Sequence, residues 1–102
     1  MPDNLDIHRA EREFLRWIII TALWHARPYG CHERIILRAA QDMPLQITTD
    51  QLRQEMDYVE ESGFCKIDKS GELWHAKITP KGTDLVDYRE DCPKGIARPP
   101  KW

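Results

Sequence analysis

Paired cysteines, long apolar runs and an excess of positive charge are all missing from this sequence. Cys31, Cys65 and Cys92 are odd in number and widely scattered, with no CxxC pair. That spacing argues against a disulfide framework and against a zinc finger. The only candidate metal assembly would join Cys31-His32, Cys65, His75 and Cys92, and it lacks ligand spacing, so neither metal nor cofactor is expected. The most apolar stretch, Phe14 to Trp24, is interrupted by Arg16 and is about half a membrane span, so no membrane association is expected. With no signal peptide to read, a reducing cytoplasm is the expected location. Fifteen Lys and Arg face seventeen Asp and Glu, a formal net charge of −2. Nucleic-acid binders usually carry a clear basic excess, so global charge does not support that role. Catalytic signatures are lacking too: there is no nucleophile elbow, no phosphate-cradling glycine loop and no HExxH. Glu60 and Glu61 are adjacent on a helix and point apart. No enzymatic activity is expected.

What is present suits one domain. A 102-residue chain with 41% hydrophobic and 31% charged residues can close one modest core. The organising stretch is Thr48 to Thr83. Thr48, Thr49 or Asp50 can cap a helix on which Leu52, Met56 and Val59 share one face. Ser62-Gly63 supplies a left-handed stop. Phe64–Ile67 and Leu73–Ile78 alternate as strands around the turn from Asp68 to Glu72. Thr79-Pro80 opens a further helix, with proline where no donor is needed. This order predicts an α+β winged helix-turn-helix: three helices, a β-hairpin wing, a C-terminal helix and an extended tail. Residues 1–90 form the domain and 91–102 the tail.

Upstream, Asp3 or Asn4 can cap a first helix from about Leu5 to Ala26. Its second half is apolar on most sides, and a helix of that kind must be buried on most sides. Homodimerisation through Trp17, Ile20 and Trp24, or docking of another protein there, is one expectation. A second helix is expected from Cys31 to Gln41, with Ile35, Ile36, Ala39 and Ala40 inward and Glu33, Arg34 and Arg38 outward. Leu45-Gln46-Ile47 can pair with the hairpin as a third strand. The last helix runs from Lys81 to about Glu90, with Leu85, Val86 and Tyr88 making its apolar contacts. From Asp91 on, proline and glycine exclude regular structure. Ile96, Pro99, Pro100 and Trp102 leave open whether this tail frays or packs.

Function divides into two readings. In the usual docking, the helix before the wing enters the major groove of double-stranded DNA. Thr49, Gln51, Arg53 and Gln54, with Tyr58 one turn on, are then the contacting residues, and Lys69 in the wing loop approaches a minor groove. Gln and Arg are suitable base readers. Yet this helix holds five acids between Asp50 and Glu61 against Arg53 alone, and phosphate binding depends on neutralising charge. The alternative is a winged helix used as a protein-interaction module without DNA.

Two resemblances follow. LRQEMDYVEESGFCKI followed by ITPKGTDLV resembles the C-terminal half of MarR- and PadR-type regulators, which implies a helix, a wing and a following helix. REFLRW, ARPYG, MDYVEESGF, WHAKITPKG and GIARPPKW resemble small proteins of Mu-like transposable phages and prophages. That second likeness implies a phage accessory protein with a winged-helix fold; in the DNA-binding reading it works in the bacterial cytoplasm as a small regulator or packaging accessory. It implies no binding residue.

Overall fold

A computed structural model describes residues 6–42 and 46–101. Seven elements follow one another: α1 (Ile7–His25), β1 (Cys31–His32), α2 (Glu33–Asp42), α3 (Thr49–Glu61), β2 (Cys65–Asp68), β3 (His75–Ile78) and α4 (Pro80–Val86). Four helices and a three-stranded antiparallel sheet of order β1-β3-β2 form one α+β domain. The order is compatible with the winged helix expected.

Local chemistry sets the boundaries. Asp6 caps α1 by accepting the Arg9 N–H at 3.0 Å; the Asp3 and Asn4 expected in that role lie outside the described residues. Thr48 and Gln51 form a reciprocal capping box at the start of α3. Gly63, at φ +87°, ends that helix, and its N–H donates to the Glu60 carbonyl at 2.9 Å. Thr79 joins this stop to the next start. Its hydroxyl donates to the Gly63 carbonyl at 2.6 Å and accepts the Gly82 N–H at 3.0 Å. Gly82 is required there, because a Cβ would strike the Phe64 carbonyl. The fold thus passes from α3 through the hairpin into α4 over one tightly bonded corner.

Three expectations are corrected. The third strand is Cys31–His32, not Leu45-Gln46-Ile47: Cys31 opposes Ala76 and His32 opposes His75. Among the described residues of that stretch, Gln46 and Ile47 are in no strand. The second helix accordingly begins at Glu33, and it is rotated from the expected register. Glu33 is 2% exposed, whereas Ile35 is 54% exposed. The last helix ends at Val86, and Tyr88 takes a left-handed conformation at φ 61°.

α1 is the centre of the core. Leu15, Ile18, Ile19, Ile20 and Leu23 are buried against α2, α3, α4 and β3. Ile20 is 0% exposed, so it cannot serve the interface expected of it. The segment after α4 completes the enclosure. Ile96 is buried in the core, the Ala97 N–H donates to the Glu13 carbonyl, and Arg98 donates to the Leu85 and Glu90 carbonyls at 2.9 Å. The core face of α1 is covered within one chain, while Trp17 and Trp24 stay partly exposed. No helix among the described residues is long and apolar enough to cross a membrane.

Candidate functional site

α3 and the hairpin form the face on which the sequence places its candidate contacts. α3 is clamped on two sides by ion pairs that run into the interior. On one side, Arg53 forms a two-pronged contact with Glu33 at the start of α2, with Nη2 at 2.8 Å and Nε at 2.9 Å. The same guanidinium donates to the Glu72 carbonyl at 2.9 Å and lies 4.6 Å from the centre of the Trp74 ring. Glu33 also accepts the Trp74 backbone N–H at 2.6 Å, while its own N–H donates to the Trp74 carbonyl at 2.8 Å. Burial pushes the Glu33 carboxyl up, but the Arg53 and Trp74 hydrogen bonds outweigh it and hold the group below the ordinary carboxylate range. Three elements therefore meet on one carboxylate.

On the other side, Glu55 reaches α1. Its Oε1 accepts from Arg16 Nε at 2.7 Å, with both side chains largely buried. Arg16 also donates to the Gly95 carbonyl at 2.8 Å and stacks on the Tyr58 ring at 3.6 Å. Gly95 has no room for a Cβ beside the Tyr58 hydroxyl. Glu60 makes a third tie, accepting the Ile67 N–H at 2.7 Å. That bond satisfies an outward donor on the edge strand β2, which blunts the edge against pairing with another chain.

The expected DNA contacts are therefore placed unevenly. Thr49, Gln51 and Gln54 are exposed near the start of α3, although the Gln51 amide oxygen serves the capping box. Arg53 is committed to Glu33, and Tyr58 lies under Arg16. Lys69 pairs with Asp57 at 2.8 Å and sits 4.4 Å from the Trp74 ring centre. The Asp57 hydrogen bond raises the Lys69 ammonium above its ordinary value. This second pair is half-exposed and therefore weak, whereas the Arg53 pair uses a buried carboxylate. Among the described residues, the exposed acids of this face left without a Lys or Arg partner are Asp50, Glu61, Asp68 and Glu72.

Of the expected interface residues, Trp17 packs partly buried against the core. Trp24 is half-buried, with the Arg27 guanidinium 4.0 Å from its ring centre and its Nε1 enclosed without an acceptor among the described residues. Of the members of this arrangement, Glu55 and Arg16 are given no contact by sequence reasoning, and Glu33, expected outward, is buried. Cys65, named in the candidate metal assembly, is 2% exposed and packs in the core. Among the described residues no group of three or more His, Cys, Asp and Glu side chains is placed to hold a metal. No family model, curated protein or solved structure matches the chain.

Proposed function

We propose that this domain is a winged helix, with α2 and α3 as its helix-turn-helix and β2–β3 as its wing, and that its α3–wing face docks a basic segment of a partner protein. The supporting observation is the commitment of Arg53. Its guanidinium is bound in two places by a buried carboxylate and in a third by a backbone carbonyl. Turning it toward a phosphate would leave Glu33 buried and unpaired, a cost that an exposed phosphate contact does not offset. Lys69 is more easily released, but doing so uncovers Asp57 beside the same phosphate. What the face offers outward is negative charge at Asp50, Glu61, Asp68 and Glu72, which suits Lys and Arg side chains. The role fits a small accessory protein of a phage or prophage that acts by binding another phage or host protein. Charge reversal tests it: Asp50→Lys with Glu61→Lys abolishes binding of an Arg/Lys-rich peptide, and unchanged binding refutes the face.

A second reading has one observation in its favour. Lys66 and Lys77 oppose each other directly across β2 and β3, both exposed. Like charges so placed cost stability, and they make the outer sheet surface the basic side of the wing. Double-stranded DNA contacted there, through phosphates alone, remains compatible with the acidic α3. Lys66→Glu with Lys77→Glu would remove such binding and leave the peptide untouched.

A further inference from the structure

A pocket of about 210 Å³ opens between the first half of α1 and the first turns of α3. Leu15 and Ile47 give it an apolar lining, while Glu11, Arg12, Gln54 and Glu55 contribute polar groups. Glu55 is the unusual member. It is 6% exposed, and its two oxygens are treated differently. Oε1 is occupied by Arg16, whereas Oε2 accepts from no described residue, and the Glu55 side chain lines the pocket. Arg16 cannot turn to cover it, since its other contacts run to Gly95 and the Tyr58 ring. A desolvated carboxylate with one unused oxygen is a strong acceptor for a charged donor.

The geometry points to a socket for the side-chain cation of one arginine or lysine, anchored on Oε2 of Glu55. The ligand's aliphatic stem lies along Leu15 and Ile47. Glu11, held 3.6 Å from His8 at the rim, adds a second negative charge, and the Gln54 amide adds a hydrogen-bonding partner. Arg12 faces the other end of the ligand, where the backbone carbonyl of a peptide residue or the carboxylate of a free amino acid would sit. The volume is below that of ordinary small-molecule sites, about 300–1,000 Å³, and suits one side chain. This inference rests on the docking of a basic segment and identifies its anchoring contact.

The test is a nuclear magnetic resonance titration of the full chain with N-acetyl-L-arginine methylamide, free L-arginine, an Arg/Lys-rich peptide and, as neutral control, N-acetyl-L-leucine methylamide. Saturable shifts at Glu11, Gln54 and Glu55 are expected with the three arginine probes and not with the leucine probe. Gln54→Arg places a competing cation at the pocket without touching the Arg16–Glu55 pair, and should weaken binding about tenfold. Gln54 is exposed, so the variant's fold is readily verified by circular dichroism. Absence of saturable shifts, equal shifts from the leucine probe, or full binding by Gln54→Arg would overturn the socket. If the peptide binds with no shift at Gln54, the socket falls and the wider docking face stands. If free arginine binds as tightly as the peptide, the socket stands as a site for the free amino acid and the docking face falls.

Discussion

Glu33 and Arg53 lie 20 residues apart in the chain and meet through two parallel hydrogen bonds, at 2.8 and 2.9 Å, beneath the backbone of Trp74. This pair turns the one basic residue of α3 into a structural tie between α2, α3 and the hairpin. Its removal should be felt in stability. Glu33→Ala leaves the Trp74 N–H and the Arg53 guanidinium without their acceptor, at a cost of about 3 kcal/mol. For a domain of this size, that lowers the melting temperature by roughly 15 °C. Glu33→Gln should cost less, because its amide oxygen can still accept from Trp74. Calorimetry of both variants checks the order.

The same carboxylate gives the protein an acid limit. Its pKa in the folded chain is below the ordinary value, so its contribution is complete above the unfolded value of about 4.3 and is lost as pH falls through the folded one. Asp6 and Asp68, also held low, by the Arg9 N–H and by Ser70 respectively, act in the same direction. Melting temperature should therefore fall steeply below about pH 4. In Glu33→Gln the fall should be shallower; a parallel fall would show that Glu33 is not tied as described.

Much of this scaffold is legible in the sequence, because caps and stops are local. Thr48, Gly63 and Thr79-Pro80 act through neighbours within four residues and announce themselves in order. Glu33 does not. A glutamate opening a helix reads as solvated, since its partners stand 20 and 41 residues away. Cys31–His32 is too short a strand to show an alternating pattern, so the apolar Leu45-Gln46-Ile47 attracts that role instead. The covering of α1 shows the same limit. Periodicity counts the faces to be covered, but not that α4 and a proline-bearing tail return to cover them.

That tail yields a stability prediction. Ile96 is 5% exposed within the core, and Ile96→Ala should cost about 2–4 kcal/mol. Deleting residues 92–102 should cost more, since Arg16 also loses the Gly95 carbonyl, and Tyr88 loses the Arg98 guanidinium over its ring and the Pro99 carbonyl that its hydroxyl donates to. Urea titration reads both. Little change in either variant would mean that the tail lies on the domain without contributing to it.

The three thiols should separate by reactivity. Burial, aided by Glu60 and Asp57, pushes the Cys65 thiol up to about 12, and its sulfur is enclosed. Cys31 is raised by burial but only partly covered, and Cys92 is half-exposed with its thiol directed at the Ile96 carbonyl at 3.3 Å. Alkylation of the folded protein followed by mass spectrometry should label Cys65 last, and only after unfolding.

The proposed docking of a basic segment is tested most directly by comparing two labelled probes at low salt: a random DNA duplex and an Arg/Lys-rich peptide, each followed by fluorescence anisotropy. The peptide should bind saturably and weaken with added salt, while Asp50→Lys with Glu61→Lys abolishes its binding. The duplex should show no binding through α3 at tens of micromolar protein. Duplex binding that Arg53→Ala weakens without unfolding the chain, together with a peptide that does not bind, would contradict the account.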